Sequence, residues 1–137
     1  MTWEPRPVPD VTPETAPFWE GAADGRFLLC ECEDCGLVYY YPRLVCPDCL
    51  SGDVGWIEAA GTGDLYSYTV TDRAPGWPEE ALPLIYAYVE LDEGPRVITD
   101  IVDCDPTDLE IGQRVEVRFV PTDDEAIAIP VFAPVES

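Results

Sequence analysis

The sequence predicts a mainly β protein in three parts: an N-terminal arm with a short helix, a small cysteine-rich unit and a five-stranded barrel. Five of the six cysteines fall within residues 30–49. Five short runs with strand character follow residue 61, and no segment between them has the length of a stable helix. We therefore expect the parts to cover residues 1–25, 26–60 and 61–137.

Charge and composition restrict the chemistry open to this chain. The 137 residues suggest one domain, or one small domain with an appendage. There are 28 acidic residues, 7 arginines and neither lysine nor histidine, which gives a net charge of −21. The composition therefore excludes a Ser/His or Cys/His nucleophilic pair, a Schiff base and a P-loop lysine. Such a negative surface also disfavours nucleic acid and anionic membranes as partners.

The N-terminal stretch MTWEPRPVPDVTPE predicts a cytoplasmic protein. It is acidic and Pro-rich, and it has no apolar segment of the signal-peptide type. No apolar run approaches the roughly 18 residues that a membrane span needs. In the cytoplasm, paired cysteines bind metal more often than they form disulfides.

The segment TAPFWEGAADG predicts a short helix after a Pro-rich extended arm. Thr15 is in position to cap the helix, Pro17 suits its first turn, and Gly25 stands where a helix ends. We expect Phe18 and Trp19 to form its buried face.

Two Cys-x-x-Cys pairs predict a zinc ribbon. Cys32 and Cys35 form one pair, Cys46 and Cys49 form the other, and ten residues separate them. In a zinc ribbon, two tight turns at hairpin tips direct four thiolates at one tetrahedral ion. Because four cysteines leave no coordination position for a substrate, we expect one structural zinc per chain. An iron centre of the rubredoxin kind uses the same four-thiolate geometry and stays open as an alternative.

The other two cysteines are not expected to bind the metal. Cys30 lies on the same side of its strand as Cys32, so it is a conceivable competing ligand. Since four ligands already complete a zinc site, we interpret Cys30 as a small half-buried side chain. Cys104 is isolated in VDCDP, and without histidine to activate it we expect an ordinary loop thiol.

The five strand-like runs predict a small Greek-key barrel of the OB type, which they suit better than a sandwich of seven or more strands. The runs are residues 64–70, 83–91, 96–102, 114–120 and 126–132. In the fourth run, Val115, Val117 and Phe119 alternate with charged residues and are expected to point inward. In the first run, Tyr66 and Tyr68 are expected on one face.

Two aromatic segments are candidate binding sites. Tyrosines 39 to 41 and Arg43 lie between the two cysteine pairs, where they either pack the ribbon on the barrel or form a patch for a partner or an anion. Trp77 lies in a long loop, residues 72–83, between the first two barrel strands. Such loops often bind ligands in OB folds, but Trp77 could equally fold back on the core.

The order of these motifs resembles a known family. PFWEGAADGRFLL precedes the CxxCG…YPR…CPxC ribbon, and GTGDLYSYTV, YVELDEGPRVITDIV and DLEIGQRVEVRF follow it. This arrangement is similar to the bacterial and archaeal zinc-ribbon/OB-fold family first catalogued as domain of unknown function thirty-five. The resemblance covers nearly everything after about residue 12, and it implies the four ribbon cysteines as metal ligands. Cys30 departs from the family, in which a polar residue is commoner at this position.

The resemblance also implies a function. Family members are accessory subunits that bind a thiolase-like protein and support acyl-CoA chemistry, in some cases in steroid side-chain degradation. We therefore expect a hetero-oligomer in which this chain is not an enzyme on its own and the partner supplies most of the acyl-CoA site. No catalytic residue set can be transferred. The alternative is a single-stranded nucleic-acid-binding protein, since ribbons and OB barrels also occur in that role, but it would need a basic track.

Overall fold

A computed structural model describes residues 4–135, so the expectations for residues 1–3 and 136–137 lie outside the described residues. One helix and eight strands follow each other along the chain. They are α1 (Ala16–Ala23), β1 (Leu28–Cys32), β2 (Val38–Tyr39), β3 (Val54–Glu58), β4 (Thr62–Thr71), β5 (Leu84–Leu91), β6 (Arg96–Asp100), β7 (Arg114–Pro121) and β8 (Ala128–Pro134). No helix of this part is long and apolar enough to cross a membrane.

The ribbon is a three-stranded antiparallel sheet with strand order β2-β1-β3. β1 lies in the middle, where Cys30 is opposite both Tyr39 of β2 and Trp56 of β3. β1 ends at Cys32, where the first cysteine turn begins, and β3 ends at Glu58, just before the barrel.

The remaining five strands form one antiparallel sheet in the order β6-β5-β4-β7-β8. A parallel bridge between Ile101 and Phe132 joins the two ends of this sheet, and the Val102 N–H donates to the Phe132 carbonyl at 2.9 Å. The sheet is therefore a nearly closed five-stranded barrel. This confirms the predicted fold class, which is mainly β with an N-terminal helix, a zinc ribbon and an OB-fold barrel.

Alternation along the barrel strands decides which side chains form the core. In β5, Ile85, Ala87 and Val89 are buried while the tyrosines between them are exposed. In β7, Val115 is fully buried, and Val117 and Phe119 pack partly buried against the same core, as expected. The barrel interior is thus filled by the inward residues of every second position.

The expectation that Tyr66 and Tyr68 share a face is wrong. A β-bulge between Leu65 and Ser67 shifts the register of β4 against β5, so that Leu65 is fully buried and Tyr66 is exposed. Beyond the bulge, Tyr68 packs against the core and its hydroxyl donates to the Leu109 carbonyl at 3.3 Å. One extra residue in a strand reverses the side to which the following side chains point.

Four aromatic rings join the helix, the ribbon and the barrel. The Phe27 ring lies 6.0 Å from that of Phe18, 5.8 Å from that of Tyr40 and 5.9 Å from that of Phe132. Phe18 lies in α1 and Phe132 in β8, whereas Phe27 precedes β1 and Tyr40 follows β2. Phe18 also meets Tyr40 at 5.8 Å. Offset and edge-on aromatic packing of this kind holds the ribbon against the barrel wall.

Thr15 occupies the N-cap position of α1, but its side chain does not cap the helix. Its hydroxyl instead accepts a hydrogen bond from the Thr12 N–H at 3.0 Å. Pro17 lies in the first turn, where no intrahelical donor is lost, and Gly25 ends the helix with a φ of 77°. Phe18 forms the buried face, with Trp19 partly buried beside it.

Candidate metal centre

The sulfurs of the four ribbon cysteines lie close enough together to bind a single metal ion. The Sγ atoms of Cys32, Cys35, Cys46 and Cys49 all lie within 4.8 Å of one another. Cys32 Sγ is 3.5 Å from Cys49 Sγ, and Cys35 Sγ is 3.6 Å from Cys46 Sγ. Four thiolates around zinc, at Zn–S distances of about 2.3 Å, form a tetrahedron with edges of about 3.8 Å. The separations in this chain therefore fit a tetrahedral ion.

The first cysteine turn directs its backbone at the sulfur of Cys32. The Cys35 N–H donates to Cys32 Sγ at 3.4 Å, and the Gly36 N–H donates to the Cys32 carbonyl at 2.9 Å. Gly36 has a φ of 80°, a conformation that costs glycine little. The glycine after the pair thus allows the chain to turn back while both sulfurs face the same point.

The second turn repeats this geometry with a different residue at its end. The N–H groups of Asp48 and Cys49 approach Cys46 Sγ at 3.4 and 3.5 Å. The Leu50 N–H donates to the Cys46 carbonyl at 3.0 Å. Leu50 therefore occupies the place that Gly36 has in the first turn, and its φ of 64° puts a branched side chain in the left-handed region.

The electrostatics of the cluster also fit a cation. The N–H groups of Cys49 and Asp48 lower the pKa of the Cys46 thiol to about 7. The Ser51 N–H lowers the pKa of the Cys49 thiol, but the neighbouring sulfurs and burial outweigh it and raise that pKa to about 12. Sulfurs this close cannot all carry a charge by themselves, and a divalent ion supplies the compensating charge. When bound, the ion crosslinks the two turns, and four protein ligands leave it no open position.

Neither of the other two cysteines contributes to this cluster. Cys30 is almost fully buried, more deeply than the expected half-buried position, and burial raises the pKa of its thiol. Its sulfur is not among the four that converge. Cys104 is half-buried in a loop, and burial raises its pKa as well, which disfavours the thiolate that a nucleophile needs.

The segment between the two cysteine pairs contains both buried and exposed side chains. Tyr39 is buried and its hydroxyl donates to the Arg43 carbonyl at 2.8 Å, while Tyr40 packs on Phe18 and burial raises its pKa. Tyr41 is 53% exposed. Two of the three tyrosines thus hold the ribbon in place, and Tyr41 and the exposed Arg43 face solvent beside it.

Trp77 does not stand free in its loop. The Arg6 guanidinium lies 4.8 Å from the centre of the Trp77 ring and forms a bidentate ion pair with Asp100 at 2.8 and 3.0 Å. Arg6 is 6% exposed, and it pairs by a parallel bridge with Thr122. The N-terminal arm is therefore clamped to the barrel at this loop.

The exposed aromatic surface of the barrel was not predicted. Tyr66, Tyr86, Tyr88 and Ile98 lie on the outer side of strands β4, β5 and β6 and are 42–49% exposed. We call these four residues the tyrosine face. The alternation in β5 already separates Tyr86 and Tyr88 from the apolar residues between them. The sequence therefore indicates that Tyr86 and Tyr88 point outward. It does not indicate the position of Tyr66, because the bulge in β4 interrupts the alternation there.

The ribbon and barrel together define a class: proteins in which a four-cysteine zinc ribbon is joined to an OB-fold barrel. Family models agree with both halves. Residues 19–55 match the model described as ChsH2, rubredoxin-like zinc ribbon domain, and residues 56–120 match ChsH2, C-terminal OB-fold domain. The chain belongs to this zinc-ribbon/OB-fold family, DUF35.

Named relatives include enzyme subunits and scaffold proteins. A probable enoyl-CoA hydratase alpha subunit of Thermomonospora curvata is 37% identical over 94% of this chain, which spans 40% of that subunit's length. A DUF35 domain-containing scaffold protein of Methanothermobacter thermautotrophicus is 39% identical over 65% of this chain and 68% of its own length. A solved structure described as an Ltp2-ChsH2(DUF35) aldolase contains a chain that is 36% identical, with a TM-score of 0.81. The match covers 93% of this chain and 98% of that one.

Proposed function

We propose that this chain is a non-catalytic accessory subunit of an acyl-CoA thiolase or aldolase. The observation that carries the proposal is the match over 98% of the length of a chain from an Ltp2-ChsH2(DUF35) aldolase. The proposed partner is a thiolase-like protein, and the complex is a hetero-oligomer. Sterol side-chain degradation is one of the contexts that the family resemblance implies for the acyl group.

The side chains of this chain are consistent with a non-catalytic role. The composition provides no histidine or lysine for acid–base or Schiff-base catalysis. Among residues 4–135, the one cluster of metal-ligating side chains is the four-cysteine site, and its ligand set is complete. The thiol of Cys104 has a raised pKa. We therefore assign the metal a structural role and the reacting groups to the partner.

The net charge of −21 supports a CoA site in the partner as well. The phosphates of CoA are anionic, and the summed field of this chain opposes their approach. This chain would therefore stabilise the partner or shape the acyl end of the pocket, while the partner binds the phosphates.

Co-expression tests the proposal. The chain and the thiolase-like protein of the same organism are produced separately and together, and solubility and carbon–carbon bond cleavage of an acyl-CoA are compared. We expect activity to depend on the complex. The proposal is wrong if the thiolase-like protein is fully soluble and fully active alone, or if this chain alone turns over the acyl-CoA.

A further inference from the structure

The tyrosine face is a mainly apolar surface on the outer side of the barrel sheet. Tyr88 of β5 lies directly opposite Ile98 of β6, and Tyr86 lies opposite Thr69 of β4. Tyr86, Tyr88 and Ile98 line a groove of about 550 Å³ together with residues 67–69 of β4, and Tyr66 lies outside this groove. Side chains that are opposite each other on one face of a sheet are in contact range, so these residues act as one surface.

This surface is not required by the barrel core. The inward residues of the same strands, among them Ala87, Val89 and Val97, fill the interior on the other side of the sheet. The outward rings therefore remain 42–47% exposed in the isolated chain. Scattered exposed apolar residues are ordinary, but a contiguous patch on one sheet face marks an interaction site.

The face is electrically neutral in a very acidic molecule. At one end Arg96 pairs with Glu90 at 3.0 Å and its guanidinium lies 4.0 Å from the centre of the Tyr66 ring. At the other end Asp100, which is opposite Tyr86, is neutralised by Arg6 at 2.8 Å. Each charged side chain of β6 is thus paired, although the chain as a whole carries a net charge of −21.

The neutral face and the acidic remainder together identify the kind of occupant. A second copy of this chain would bring together two molecules of charge −21, which repel each other. A different protein with an apolar contact surface and a basic rim would bury the rings and be attracted by the surrounding carboxylates. Tyrosines on a sheet also lose little conformational entropy on binding, in contrast to apolar residues on an irregular loop.

We propose that the tyrosine face is the surface by which this chain docks on its partner enzyme subunit, an inference that rests on the proposed function. The partner presents an apolar patch to Tyr86, Tyr88 and Ile98 and basic side chains around it. The exposed ribbon residues Tyr41 and Leu44 form the competing surface and provide a comparison in the test.

Two isoleucines offer a matched test. Ile98 is 49% exposed on the face, and Ile111 is 63% exposed in the connection before β7. Binding of Ile98→Glu, Ile111→Glu and the wild-type chain to the thiolase-like protein of the same organism is measured by calorimetry. We expect Ile98→Glu to weaken affinity by about 100-fold or more, because it buries an unpaired charge, and Ile111→Glu to change it by less than about threefold.

Further variants and controls separate the outcomes. Tyr88→Ser should also weaken binding, Leu44→Glu should not, and thermal unfolding should show that all variants are folded. Wild-type binding that Ile98→Glu and Tyr88→Ser leave intact would overturn the docking surface while the accessory function stands. If the wild-type chain does not bind the thiolase-like protein, both proposals fail. A homodimer in light scattering that Ile98→Glu dissociates would show that a second copy is the occupant instead.

Discussion

Leu50 is the residue at which local backbone geometry and side-chain type disagree most clearly. It ends the second cysteine turn with a φ of 64° and is 75% exposed, whereas the first turn ends in Gly36 with a φ of 80°. The left-handed conformation costs a residue with a Cβ about 1–2 kcal/mol, and packing of this exposed side chain within the chain does not compensate for it. The second turn is therefore less stable than it would be with glycine at this position.

We expect Leu50→Gly to stabilise the zinc-loaded protein by about 0.5–1 kcal/mol, because the relief of strain exceeds the entropy that glycine loses on folding. Thermal unfolding should show a midpoint raised by about 2 °C. Gly36→Leu should have the opposite effect. Asp103→Gly is the matched control, since Asp103 also has a positive φ of 58° but aspartate adopts this conformation more easily. A lower unfolding midpoint for Leu50→Gly would show that the backbone at Leu50 is not strained.

Asp92 gives a second prediction at the scale of a residue. Hydrogen bonds from Arg114, at 2.8 and 2.9 Å, and from Thr62 lower the pKa of Asp92 to about 2. The folded state therefore favours the carboxylate. The resulting stabilisation is complete above the ordinary pKa of about 4 and is lost as the pH falls through about 2.

Arg114→Gln should raise the pKa of Asp92 toward its ordinary value, as measured by carboxylate NMR titration. Because both side chains are about half exposed, the cost at neutral pH should be small and should disappear in acid. Asp105, whose pKa is lowered by the Thr107 N–H, is the internal control and should titrate unchanged. An unchanged Asp92 titration would show that Arg114 does not cause the shift.

At the scale of elements, the ribbon depends on its metal and the barrel on its core. Strands β1 to β3 are short, and the ribbon contacts the barrel through Leu29 and the aromatic rings around Phe27. Structural zinc contributes about 10–16 kcal/mol to the folding of small metal-binding units. The ribbon should therefore lose its structure without metal, while the barrel strands are held by residues such as Val89 and Val115.

We expect one zinc per chain, and we expect Cys46→Ser to remove it. Elemental analysis distinguishes zinc from iron, and hydrogen exchange should show loss of protection in β1 to β3 with protection retained in β4 and β5. Cys104→Ser, which changes a thiol outside the cluster, should be nearly silent. A protein without bound metal, or one whose ribbon cysteines are paired as disulfides, would disprove the metal centre.

The sequence predicted the elements well because their signals are local. Two Cys-x-x-Cys pairs indicate the ribbon, and alternating residues such as Val115 and Val117 indicate a barrel strand. The boundaries of the three parts remain a prediction. Two features could not be predicted, because they arise from contacts between distant segments. The bulge after Leu65 depends on pairing with β5, and the clamp of Arg6 on Asp100 joins residues 94 positions apart.

At the scale of the whole molecule, the distribution of charge decides between the two functions that the fold permits. An OB-fold barrel with exposed rings such as Tyr86 and Tyr88 has the stacking platform on which single-stranded nucleic acids bind. The same fold in a nucleic-acid-binding protein also carries a basic track along that platform. The aromatic rings of such a platform are present in this chain. A nucleic-acid-binding function therefore depends on whether the arginines form a basic track beside them.

The arginines do not form such a track. Five of the seven form ion pairs with carboxylates: Arg6, Arg26, Arg96, Arg114 and Arg118. Arg96, the arginine that stacks on the tyrosine face, is itself neutralised by Glu90. The summed charge of the chain therefore opposes the approach of a phosphate backbone.

We predict no measurable binding of single-stranded DNA or RNA at physiological salt. Fluorescence anisotropy with a labelled oligothymidine and an oligouridine of about 20 nucleotides, longer than one OB fold covers, provides the measurement. Glu90→Gln is the matched variant, because it frees Arg96 beside the rings while leaving the other charges in place. It should still not bind, since one arginine cannot offset a net charge of −21. A micromolar complex of the wild-type chain that weakens with salt and is lost in Tyr88→Ser would establish the platform as a nucleic-acid site and refute the assignment of the tyrosine face to a partner enzyme.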